Sequence, residues 1–223
     1  MNLKENAALW KARIAEASQG NCRICGVTKT HSAEEINPLL DCGIDLIGEN
    51  RVQELLSKQD ALDRRFHVQL IGRLQTNKVK SLVGRVEAVQ SLDRPELARE
   101  LSRRSLEKGL VTDTLIQVSI AGEAQKGGVP PEGLEELLRV CAQAEGIKVS
   151  GLMAVMPLTQ DAEALRPLFK KMRALFEALR ERDLGKNISM RELSMGMTND
   201  ALIAAEEGAT MVRLGRALFG ERK

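Results

Sequence analysis

The chain has 223 residues, 43% of them hydrophobic, enough to bury a full core in one large domain, and no linker-like stretch divides residues 1–223. Its 33 basic and 31 acidic residues mix along the sequence to a formal charge of +2, so no basic block is present to track a nucleic-acid backbone. There is neither an apolar signal segment nor an apolar run long enough to span a bilayer, and the expectation is a cytoplasmic protein that binds neither nucleic acid nor membrane.

Leu3, Ala7, Trp10, Ile14 and Ala17 recur at three-four spacing and predict an N-terminal helix packed on the outside of the domain. Next comes Cys22-Arg-Ile-Cys25-Gly-Val-Thr-Lys29-Thr30, whose apolar part reads as a strand. Cys22 and Cys25 form a C-x-x-C, but on a strand they point to opposite faces and share neither a metal nor a disulfide. With only His31 and His67 to add imidazole, the four cysteines read as packing residues and no zinc is expected. Strands are predicted at 22–28, 45–47, 66–71, 86–90, 113–120, 147–155, 190–193 and 210–214. Helical patterns lie between them, clearest at 163–180, where Leu165, Phe169, Met172, Phe176 and Leu179 share a face. Alternating strands and helices with short connections predict an α/β fold, a parallel (β/α)8 TIM barrel, with an open doubly wound sheet as the alternative.

A barrel gathers its chemistry at the C-terminal ends of its strands. Four such junctions join glycine to polar groups at a predicted helix entrance: Gly48-Glu-Asn50, Gly72-Arg-Leu-Gln75-Thr-Asn77-Lys78, Ser194-Met-Gly-Met-Thr198 and Gly215-Arg216. Glycine lets a ligand approach the backbone and a helix N-terminus offers N–H groups to an anion, so together they predict a phosphate cup. Lys29 shares a face of the first strand with Val27 and Cys25. Either it snorkels to solvent, or desolvation lowers its pKa and suits it to form a Schiff base with a carbonyl. In Thr210-Met-Val-Arg213-Leu the arginine shares a face with Met211 and is enclosed whichever way that face points; it needs a carboxylate or a ligand. His67 and Gln69 share a face of the third strand, placed either to fill a polar barrel centre or to reach a ligand.

Taken in order, several segments resemble the pyridoxal-phosphate homeostasis proteins. They are Val27-Thr-Lys29-Thr30, Ile47-Gly-Glu-Asn50, Ile71-Gly-Arg-Leu-Gln75-Thr-Asn77-Lys78, Glu123-Ala-Gln-Lys126-Gly, Gly151-Leu-Met153, Ser194-Met-Gly-Met197 and Val212-Arg-Leu-Gly-Arg-Ala-Leu-Phe-Gly220. The resemblance covers nearly the whole chain. It implies a single barrel like the N-terminal domain of fold-type III enzymes such as alanine racemase, holding pyridoxal 5′-phosphate as a Schiff base on Lys29. It implies further that the Ser194 turn and the backbone N–H groups of Gly215 and Arg216 hold the phosphate, that Arg213 lies near the pyridine nitrogen, and that Asn50, Gln75 and Met195 line the ring. A cation at that nitrogen discourages its protonation and weakens the cofactor as an electron sink. Thr28 stands where serine is commoner and Arg73 where histidine is commoner, so no imidazole role carries over to position 73.

Racemases of this fold supply their second base as a tyrosine from a further β domain, and this chain contains no tyrosine and ends soon after its last predicted strand. The expectation is a monomeric, non-catalytic carrier of the cofactor that bears on amino-acid and keto-acid balance, with transient contact to the apo-enzymes it serves. The alternatives are a small racemase-like enzyme that completes its site from a second chain, and a cofactor-free Schiff-base aldolase. Lys78, Lys80 and Lys126, in or near the proposed rim, read as a solvated face, with a secondary dock for the anionic cofactor as the alternative.

Overall fold

The computed structural model describes residues 2–123 and 127–220. Eight parallel strands close into a barrel in chain order: β1 (Arg23–Val27), β2 (Leu46–Glu49), β3 (His67–Leu70), β4 (Ala88–Leu92), β5 (Thr112–Gln117), β6 (Ile147–Met153), β7 (Ile188–Met197) and β8 (Met211–Leu214). The seam is β1 against β8, where Ile24 pairs with Val212 and Cys25 with Arg213. The (β/α)8 architecture read from the alternation of strands and helices is the one observed. Nine α-helices are described: α1 (Leu3–Ser18), α2 (Ala33–Ile36), α3 (Val52–Lys58), α4 (Val79–Leu82), α5 (Pro95–Glu107), α6 (Leu134–Ala142), α7 (Arg166–Arg180), α8 (Ala201–Glu206) and α9 (Arg216–Phe219).

The extra helix α1 begins with a capping box, in which the Asn2 side chain accepts from the Glu5 N–H and the Glu5 carboxylate accepts from the Asn2 N–H. Its stripe buries Ala7 and Ile14 against α8 and α9, on the outside of the barrel as the spacing predicted.

Strand residues alternate between two environments. Outward-facing Ile24, Ile47, Val89, Leu152 and Val212 join Leu97, Leu137, Phe169 and Phe176 of the helices in one continuous core. Each such side chain contributes about 2 kcal/mol on burial. Inward-facing Cys25, Leu46 and Met211 form a separate small cluster inside the barrel. All four cysteines are free, and burial pushes the Cys25 and Cys141 thiols up to about 12, which leaves them as packing groups.

Strand ends differ from the sequence reading: β2 includes Gly48 and Glu49 of the predicted polar junction, β4 runs to Leu92, β5 stops at Gln117, and the largest shift is in β7. The seventh strand does not stop at residue 193; it runs on to Met197, so Ser194-Met-Gly-Met lies within β7 and is not a turn. Ladder pairing with β6 and β8 overrides the glycine signal, and the glycine serves an irregularity in the β7–β8 register between Ser194 and Met197. Gly196 has φ +91°, and a Cβ there would stand 2.5 Å from Ala204 Cβ on α8. Gly196→Ala should therefore lower stability by about 2–4 kcal/mol, read from urea unfolding midpoints, through a left-handed backbone and an overpacked strand–helix contact.

Candidate functional site

Lys29 sits in the loop that follows β1, at the C-terminal mouth of the barrel, and is half-buried. A buried ion cluster holds this loop from the β2 side. Lys58, at the end of α3 with its side chain 10% exposed, places Nζ 2.7 Å from Glu49 Oε1 and 3.2 Å from Glu54 Oε1. The same ammonium donates to the carbonyls of Thr28 at 2.8 Å and His31 at 3.0 Å, on either side of Lys29. The Thr28 hydroxyl donates to Glu49, and the Thr30 N–H donates to Glu54. Thr30 adopts φ 70°, a left-handed conformation costly for a β-branched residue, which this cluster over-determines. On the β8 side, the His31 ring stacks on Phe219 of α9 with centroids 4.0 Å apart. Lys29 thus projects from a loop tied down on both flanks.

A cavity of about 660 Å³ opens at this mouth, lined by Val27, Lys29, Leu158, Met197, Thr198, Asn199, Asp200, Arg213, Gly215 and Arg216 among others. Arg213 is 3% exposed and faces the barrel interior. Its Nη1 donates to Ser194 Oγ at 2.6 Å and its Nη2 to the Ala154 carbonyl at 2.7 Å. The Ser194 hydroxyl donates in turn to Gln90 Oε1 at 2.7 Å, and Gln90 Nε2 donates to Gln69 Oε1 at 2.7 Å. Desolvation pushes the Arg213 pKa down to about 10, so the guanidinium remains charged at neutral pH.

The predicted site residues divide into three groups. Lys29, Arg213, Gly215 and Arg216 come together in the 660 Å³ cavity. Asn50 and Gln75 line a second cavity of about 700 Å³ between the loops after β2, β3 and β4. Ser194 and Met195 line neither cavity: the Ser194 hydroxyl is committed to Gln90 and Arg213, and the Met195 side chain is fully buried in the core between barrel and helices. Their placement follows from β7 extending past them, which leaves Thr198 and Asn199 at the cavity in their stead. Gln69 fills the barrel centre, whereas His67 is exposed, with Nδ1 2.9 Å from Glu87. Lys126 lies outside the described residues.

Sequence reasoning missed the Lys58–Glu49–Glu54 cluster. Gly48-Glu-Asn50 was legible as a polar junction, but the side chains that meet there come from separate elements. It also missed the β6-side lining, Pro157, Leu158 and Thr159, for which no pattern offered a signal.

The barrel with its helices is the fold of the alanine racemase N-terminal domain family, whose model matches residues 1–223. Within it the chain is 46% identical to the pyridoxal phosphate homeostasis protein of Aquifex aeolicus over 100% of both chains, and 36% identical to that of Pseudomonas aeruginosa over 99% of this chain and 96% of the relative. The chain belongs to the pyridoxal phosphate homeostasis protein family. Among solved structures, PipY of Synechococcus elongatus, determined with PLP bound, is 30% identical and superposes with TM-score 0.88 over 98% of this chain and 100% of that one. An alanine racemase from Clostridium difficile, at 16% identity and TM-score 0.74, shares the fold, with this chain spanning 57% of its length.

Burial raises the Glu49 pKa above the ordinary carboxylate range against the pull of Lys58 and Thr28, and its Oε2 has no hydrogen-bond partner among the described residues. Lys58→Met should cost about 3–5 kcal/mol by stranding that carboxylate. The sign with pH follows from the raised pKa. In the variant the folded state holds the Glu49 proton to higher pH than the unfolded chain does, so the cost is smallest near the unfolded carboxylate value and grows as pH rises through the folded one. Denaturant melts of both proteins at pH 5 and pH 8 should show the larger difference at pH 8.

Proposed function

We propose that the cavity at Lys29 holds pyridoxal 5′-phosphate as a Schiff base on that lysine, and that the protein buffers or delivers this cofactor without turnover of its own. The observation that carries the reading is the convergence of Lys29, Arg213, Gly215 and Arg216 in one cavity. Their chemistry fits the cofactor: an amine for the aldehyde, a guanidinium for the ring nitrogen, and N–H groups at the first turn of α9 for the phosphate. Position 215 is free of a side chain where a Cβ would come to 3.4 Å from Val27. PipY, similar over the whole chain, was determined with PLP bound, which supports PLP as the ligand.

When bound, the cofactor supplies a carbonyl carbon that exchanges reversibly between the lysine and incoming amines. The chain's own residues set the rest. The Lys58 cluster holds the backbone on both sides of Lys29, Arg213 would offer donors and never an acceptor to the ring nitrogen, and Thr198 would add a hydroxyl at the phosphate end. Stereochemical inversion needs a base on each face of the substrate carbon, and tyrosine, which fills the second role in racemases of this fold, is absent from the sequence. Asp200 lines the cavity, but one of its oxygens accepts from the Met197 N–H at 2.6 Å, at the entrance to α8. A cytoplasmic, single-domain monomer with transient contacts to recipient apo-enzymes completes this reading.

The purified protein should absorb in the visible, and borohydride should abolish the band and fix cofactor mass to the Lys29 peptide, while Lys29→Ala should give a colourless protein. A wild-type protein that stays colourless with added pyridoxal phosphate would remove the ligand from the proposal. With the cofactor bound, a stereochemical assay on alanine should record little turnover; robust racemisation would transfer the reading to the racemase-like alternative.

A further inference from the structure

The second cavity at the mouth, about 700 Å³, is lined by four cationic side chains, Arg51, Arg73, Lys78 and Arg94, and by no carboxylate among the described residues. Arg94 is spoken for: Nη1 lies 2.5 Å from Asp93 and Nη2 donates to the Leu74 carbonyl at 3.0 Å. Arg51, Arg73 and Lys78 make no side-chain hydrogen bond or ion pair among the described residues. Three uncompensated positive charges around one cavity repel each other and attract anionic oxygen atoms. The amide groups of Asn50, Gln53 and Gln75 and the Thr76 hydroxyl add neutral donors to the same lining.

The cavity begins one strand away from Lys29. The Thr28 N–H donates to the Gly48 carbonyl at 3.2 Å where the β1–β2 ladder ends, so the loops that carry Lys29 and Asn50 leave neighbouring strands. The next loop is laid directly on that one, since a Cβ at Gly72 would stand 2.1 Å from the Asn50 carbonyl oxygen, and Arg73 follows.

We propose that this cavity docks a small dicarboxylate of the amino-acid or oxo-acid class. Guanidinium forks hold carboxylates in bidentate geometry, and two carboxylates leave less of the three free charges uncompensated than one does. The preference for carboxylate over phosphate rests on the cofactor reading above, because the exchange partner of a Schiff base is an amine and an anionic amine of this size is an amino acid. The anion site itself does not depend on the cofactor.

The test uses glutarate and 2-oxoglutarate, neither of which carries an amine, titrated by calorimetry at constant ionic strength into the full chain and into Lys29→Ala. Saturable binding is expected in both. It should weaken at least tenfold in the Arg51→Gln/Arg73→Gln double variant, whose exchanged side chains are exposed and whose thermal melt should match the parent. Lys4→Gln, which removes an exposed charge on α1, should leave binding unchanged. Absence of saturation, or equal affinity in the double variant, would overturn the site. Tighter binding of pyrophosphate than of either dicarboxylate would overturn the assignment to carboxylates. A wild-type protein that stays colourless with added pyridoxal phosphate yet binds glutarate would defeat the cofactor reading and leave the anion site standing.

Discussion

A guanidinium enclosed at the centre of a barrel constrains everything around it. Burying a charge without partners costs several kcal/mol, and Arg213 meets that cost with the Ser194 hydroxyl and the Ala154 carbonyl. Ser194 can accept from the arginine because its own proton is given to Gln90, and Gln90 is oriented in turn by Gln69. These residues come from β3, β4, β7, β8 and the end of β6, so one polar chain spans much of the interior. A partly satisfied network of this kind is worse than an apolar core, which makes its members interdependent.

A second buried charge does a different job. The Lys58 ammonium meets two carboxylates and two backbone carbonyls, and all four partners belong to β2, α3 or the loop that carries Lys29. The loop cannot relax Thr30 out of its left-handed conformation without giving up bonds to Glu54 and Lys58. Such a frame fixes the backbone on both sides of Lys29 before any ligand arrives. The stacking of His31 on Phe219 extends the frame to α9, whose first turn borders the same cavity.

The mouth as a whole is cationic but not uniform. On the β8 side, Arg213 and Arg216 line the cavity that holds Lys29; on the β2–β3 side, Arg51, Arg73, Lys78 and Arg94 line the other. A (β/α)8 barrel permits this division because each loop is anchored to its own strand and can be specialised separately.

The sequence by itself determined the architecture. Period-two and three-four apolar spacing forced strands and helices to alternate, and a parallel sheet of eight such units closes on itself. It also marked Lys29, Arg213, Gly215 and Arg216, because a charge at a strand end and a glycine at a helix entrance are local features. It misplaced the end of β7, where a Gly-Met pair looks like a turn until the neighbouring strands pair with it. It could not reveal the Lys58 cluster, the Gln69–Gln90–Ser194–Arg213 chain, or the separation of Asn50 and Gln75 from the Lys29 cavity. Those depend on which side chains from distant strands meet, and strand register and barrel closure decide that only once the whole chain has folded.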